Sequence, residues 1–222
     1  MYENLRRSVC EANKLLHTKG LAPYLWGSVS QVDRFNGVFA VKPADVAYDD
    51  LTVENIVVIS LKTGKPVDGT LAPISDADTF WALFSEFPQL GAVAHTHTPN
   101  AVAFSQAGRG ITPYGITHIG FSNTEIPCVR SLTAGEVNEN YELNTGRVIA
   151  EHFKSHHFEP AKTPAVLVKY HAPYVFGADG KEAVNNAAIL EMIAETALKT
   201  EMLTYGKPEK IDDYLADKIS GR

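Results

Sequence analysis

The chain has 222 residues, 45% of them hydrophobic and 21% charged, with a formal net charge of -6 at neutral pH. That balance fits one large globular domain or two small ones, and the acidic excess excludes the basic footprint of a nucleic-acid binder. Apolar runs such as Ile56-Val57-Val58-Ile59 are too short to span a bilayer, the first residues hold no apolar leader-like stretch, and Cys10 and Cys128 are the only cysteines. Reduced thiols and a cytoplasmic location, with no membrane or nucleic-acid partner, are therefore expected.

Residues 2 to 19 place Leu5, Val9, Ala12, Leu15 and Leu16 on one helical face, with Gly20 as a stop. Two strand-like runs follow, 25–30 and 37–42, parted by a polar turn at Asn36-Gly37. A third run, 55–61, ends in a turn at 62–66, so this part reads as a helix and then a β-meander. Ser75 is the expected N-cap of the next helix, with Asp78 three residues on and Phe80, Trp81, Leu83, Phe84 and Phe87 as the buried stripe. That helix feeds the apolar run Gly91-Ala92-Val93-Ala94. Thr98-Pro99 opens a short helix that Gly108 or Gly110 ends.

Residues 111 to 130 read as a long, mostly irregular segment, a kind that often carries function. Thr133-Ala134-Gly135-Glu136 is a capping box for a helix to about Phe153. A buried strand over 164–171 ends in a histidine, and 174–177 is its hairpin partner. The longest helix is expected from 181 to about 203, before the Gly206-Lys207-Pro208 break and a short charged tail. The short turns imply antiparallel strand neighbours. No internal repeat or linker divides the chain, so a single domain over 1–222 is expected. Neither a Gly-x-Gly-x-x-Gly nor a P-loop is present, so a nucleotide cofactor has no support.

His95 and His97 follow the run from Gly91 at a spacing of i, i+2. Alternate side chains of a strand share a face, so two imidazoles pointing the same way make half of a site for zinc or a similar ion. The competing reading is a satisfied polar group at a strand end beside a chance histidine. His171, at the end of a second apolar strand, becomes a third ligand if the two strands share a sheet. Asp76, just before the helix that leads into the first strand, is the candidate fourth. Three histidines with an open or carboxylate-shared position suit a catalytic metal. His152, His156 and His157 flank a polar helix end and read as solvated.

The segments around these residues carry a resemblance. They include Leu25-Trp26-Gly27-Ser28-Val29-Ser30, Ser75-Asp76, His95-Thr96-His97, Gln106-Ala107-Gly108-Arg109, Thr117-His118, Thr124-Glu125-Ile126-Pro127-Cys128, Tyr141 through Gly146, and His171-Ala172-Pro173-Tyr174. In these stretches, which extend over most of its length, the chain resembles the L-ribulose-5-phosphate 4-epimerases of the class II aldolase/epimerase superfamily. The resemblance implies an α/β fold with a central, mostly antiparallel β-sheet flanked by helices. It also implies a homotetramer with active sites at subunit interfaces, and zinc, manganese or cobalt held by His95, His97 and His171 with Asp76 nearby. The implied chemistry is retro-aldol cleavage and re-addition on a sugar or sugar phosphate, through an enediolate that the metal stabilises.

Three departures from the family pattern stand out. The phosphate cradle has asparagine where this chain has Ser28, a Ser-Gly pair at Ala44-Asp45, and a Ser-Ser pair at Ile74-Ser75. Lys42 and Ser75 remain typical, and with Ser28 they form the expected substrate-binding set. A carboxylate at Asp45 lying ~4 Å from a phosphate oxygen would cost about 4 kcal/mol at an effective dielectric near 20, on the order of a thousandfold in affinity; the alternative is an Asp45 turned to solvent. The family's aspartate acid/base falls at Gly120, which leaves His118, two residues earlier, to be recruited. A C-terminal tyrosine that enters the neighbouring site has Tyr214 as its nearest counterpart. Asp76, His118 and Tyr214 thus make up the expected catalytic set.

An epimerase is the leading expectation. An aldolase or decarboxylase-like lyase acting on an unphosphorylated ketose or hydroxy-keto acid is the alternative, and an inactive metal-binding paralogue the second.

Overall fold

The computed structural model describes residues 2–221. Eight strands form one sheet: β1 (Gly27–Asp33), β2 (Val38–Val41), β3 (Val57–Ser60), β4 (Pro66–Asp68), β5 (Ala92–Thr96), β6 (Cys128–Val129), β7 (Ala165–Val168) and β8 (Pro173–Gly177). Their order across the sheet is β4-β3-β2-β1-β5-β8-β7-β6. Every described pairing is antiparallel except β6 with β7, which is parallel. The meander read from the sequence is the half running β1 to β4. Pro66 opens β4, where an edge strand tolerates a residue with no N–H to give.

Seven helices flank this sheet among the described residues: α1 (Glu3–Thr18), α2 (Ala77–Glu86), α3 (Pro99–Ala107), α4 (Ile116–Phe121), α5 (Ala134–Ser155), α6 (Gly180–Leu203) and α7 (Asp213–Ser220). Among the described residues, no helix is long and apolar enough to cross a membrane.

The strands alternate between two cores. In β5, Ala92 and Ala94 join a cluster with Val9 and Leu16 of α1 and Val184, Leu190 and Ile193 of α6. Val93 faces the other way, into a cluster with Phe80, Leu83 and Phe84 of α2 and Ile149 and Phe153 of α5. Strands β7 and β8 alternate in step, with Leu167 and Val175 on the α1/α6 side and Val166, Tyr174 and Phe176 on the α2/α5 side. Each fully buried Phe, Leu, Ile or Val contributes about 1.5–3 kcal/mol, so the period-two pattern fixes the register. His95 therefore falls on the α2/α5 face, two residues beyond Val93.

Some local expectations are corrected. Ser75 does not cap α2; Asp76 holds that position and makes no side-chain cap bond. The 111–130 stretch is less irregular than its sequence suggests, because 116–121 closes into α4. Thr133 and Glu136 do form the reciprocal capping box of α5, but that helix breaks at Asn140, where φ -165° and ψ 99° are extended.

Candidate metal centre

Strand β5 runs antiparallel between β1 and β8, with Ser28 and Tyr174 as the cross-strand neighbours of His95. The His95 ring stacks on Tyr174, centroids 4.3 Å apart. Its Nδ1 lies 2.9 Å from the carbonyl oxygen of Pro173. A carbonyl only accepts, so Nδ1 carries a proton and Nε2 is the nitrogen left to face a ligand. That Nε2 is 3.1 Å from Nε2 of His97, one residue past the strand end.

His171 arrives from the tight β7–β8 turn. Its N–H donates to Val168 O at 3.0 Å, and Tyr170 before it sits at φ 65°. A left-handed tyrosine is an unfavourable conformation held by its surroundings, here by a bond from Tyr170 N–H to Ser105 O of α3 at 3.0 Å.

Ligand atoms of His95, His97 and His171 all lie within 4.8 Å of one another. The i, i+2 spacing and the second strand end thus meet at one point. Burial, then the neighbouring His95, pushes His97 down to about 4, against the opposing pull of Asp76. Burial, then His95 and His97, pushes His171 down to about 3. Both rings are neutral at pH 7, the state in which imidazole binds a metal. Nδ1 of His171 is buried and has no hydrogen-bond partner. A set of three imidazoles, with one orphaned nitrogen among them, fits a divalent transition metal.

The cluster opens into a cleft of about 340 Å³ lined by Leu25, Trp26, Gly27, Ile74, Ser75 and Asp76, with Glu142 from α5. Asp76 borders the cleft without joining the cluster of ligand atoms: its Oδ2 accepts from Ser28 Oγ at 2.8 Å. Ser28 is buried and its hydroxyl is committed to that carboxylate. Ser75 faces the cleft. Lys42 does not: it is 0% exposed, and its Nζ donates to Pro43 O at 2.9 Å and lies 5.4 Å over the Tyr48 ring. Burial lowers its basicity, while Asp76 and then Asp45 hold it up. Asp45 itself is exposed.

His118 and Tyr214 stand apart from the cluster within this chain. His118 is buried on α4 beside another cavity lined by Tyr114, Thr117 and Thr196, where its Nε2 donates to Thr124 O at 2.9 Å. Tyr214 is 75% exposed on α7. A Cβ added at Gly120 would meet nothing within 4 Å.

Glu142 was not singled out in the sequence, although Tyr141 through Gly146 contributed to the resemblance. It follows the break at Asn140, and its Oε2 accepts from Thr79 Oγ1 at 3.1 Å. Burial, then the charge of Asp76, pushes its carboxyl up to about 7. A carboxyl near neutrality beside a cleft is suited to proton transfer.

Residues 7–198 match the family model described as Class II Aldolase and Adducin N-terminal domain. The chain belongs to this family. Among its class II aldolase relatives are the L-ribulose-5-phosphate 4-epimerases UlaF of Salmonella paratyphi A and Salmonella typhi. Each is 40% identical over 216 residues, covering 97% of this chain and 93% of the relative. An L-fuculose 1-phosphate aldolase superposes with a TM-score of 0.80 at 18% identity, covering 98% of this chain and 95% of the other. YgbL from Klebsiella pneumoniae superposes at 0.75 and 20% identity, with 99% of each covered. These two likenesses support the class II aldolase fold.

Proposed function

We propose that the chain is a divalent-metal-dependent sugar epimerase of the L-ribulose-5-phosphate 4-epimerase kind, with zinc as its ion and residues 1–222 as one catalytic domain. The observation that carries this is the convergence of His95, His97 and His171, from two separate places in the sequence, in a chain 40% identical to curated epimerases. In this reading the three imidazoles hold the ion and Asp76 stands beside it. A divalent ion bound there supplies a Lewis acid for the carbonyl and hydroxyl oxygens of a ketose.

The chain's own groups do the rest. Pro173 O fixes the tautomer of His95, and Ser28 fixes the Asp76 carboxylate. Ser75 offers a hydroxyl to the substrate. Glu142, whose carboxyl is pushed up by burial and then by Asp76 in the metal-free protein, takes or returns a proton on the α5 side of the cleft. Helix α4, which carries the buried His118, and helix α7, which carries Tyr214, meet a neighbouring subunit in a homotetramer, where Tyr214 reaches that subunit's cleft; the exposure of Tyr214 on α7, and of Ile116 on α4, leaves both helices free for this. The proposed location is cytoplasmic.

The test is an assay of zinc-loaded protein on L-ribulose 5-phosphate and on L-ribulose, following inversion at C4 by NMR, with light scattering for the tetramer. Inversion on either ketose supports the reading. Steady release of a free aldehyde supports the second reading, an aldolase-type lyase, which gains weight because no acid/base stands at Gly120. Bound metal with no conversion supports an inactive paralogue.

A further inference from the structure

We propose that the cleft takes an unphosphorylated ketose: the walls that this chain gives it accept sugar hydroxyls and offer no cation for a phosphate. This rests on the metal-site reading above and goes further by naming the substrate class.

The charged side chains that line the cleft besides the histidines are Asp76 and Glu142, both acids. Lys42, the lysine expected to hold a phosphate, is fully buried, is not among the residues lining the cleft, and donates to Pro43 O. Burial lowers its basicity, Asp76 and then Asp45 oppose that, and its Nζ is already committed to a backbone carbonyl. Two further positions close the case on the same wall. Ile74 lines the cleft with an alkyl side chain, and the Ser28 hydroxyl donates to Asp76 rather than into the cavity. A phosphate placed there would be desolvated against carboxylates, with Ser75 as its one hydroxyl partner on this wall. Such burial of charge without a partner is strongly unfavourable.

A neutral polyol meets the opposite situation. The carboxylates of Asp76 and Glu142 are strong acceptors for hydroxyl donors. Trp26 is 61% exposed at the cleft mouth, its ring 5.9 Å from that of His97. An exposed indole beside a polar centre presents an apolar face on which the C–H edge of a sugar stacks.

The experiment compares ligands that differ only in phosphate, on the assembled zinc-loaded protein. Calorimetry gives the dissociation constants of glycolohydroxamate and phosphoglycolohydroxamate, two-carbon metal chelators. Initial rates give kcat/KM for L-ribulose and L-ribulose 5-phosphate. The phosphate should raise neither affinity nor kcat/KM by as much as about tenfold, and Trp26→Ala should weaken glycolohydroxamate or raise the KM for L-ribulose about tenfold. A phosphorylated ligand favoured by tenfold or more overturns the proposal while leaving the epimerase reading intact. Binding of neither hydroxamate overturns both, because it removes the metal site on which they stand.

Discussion

The imidazole side of the cleft and the segment behind its other wall use the same kinds of residue in opposite ways. His95 lies in β5, His97 one residue past its end and His171 in the β7–β8 turn, and their ring nitrogens gather close to one another. Lys42 also sits just past a strand end, after Val41 of β2, yet its ammonium turns back onto the carbonyl of the next residue. The first arrangement leaves donors unsatisfied until a ligand arrives; the second satisfies its charge internally. Binding capacity here depends on whether the fold completes a polar group's partners or withholds them.

The largest expected effect falls on the imidazole side. His171→Ala should weaken zinc binding by more than about 100-fold, since even outer-shell changes at metal sites cost about 10–100-fold. Competition with a chromophoric chelator measures this, and an unchanged affinity would remove His171 from the site. On the other side, Ser28→Ala strips the buried Asp76 carboxylate of a partner and should cost about 1–3 kcal/mol in urea denaturation. A loss below a few tenths would mean that the carboxylate finds water instead.

The smallest effect concerns pH. The carboxyl of Glu142 is raised from 4.5 to about 7, so in the metal-free protein the folded form binds its proton more tightly than the unfolded chain does. Its stabilising contribution is therefore full below about pH 4.5 and lost as pH rises through about 7. Glu142→Gln should flatten that decline. Melting temperatures at pH 5 and pH 8 check it, and equal pH dependence in both proteins would contradict the assignment.

Much of this was legible in the sequence for local reasons. The α1 periodicity, the Thr133–Glu136 capping box and the i, i+2 histidines are short-range patterns that the fold respects. The joining of His171 to the pair needed only two apolar strands in one sheet. What stayed hidden depends on backbone geometry with no sequence period. Helix α4 is too short to show an amphipathic pattern, and β4 is a three-residue edge strand opened by a proline. Glu142 reaches the cleft because α5 breaks at Asn140, and Lys42 leaves it because two carbonyls lie within its reach.

The central claim is that three imidazoles share one ion. Zinc K-edge X-ray absorption on the loaded protein tests this directly. The expected result is a nitrogen shell at about 2.0–2.1 Å with the outer-shell scattering of three imidazole rings. A shell of oxygen alone, or of a single ring, would contradict it.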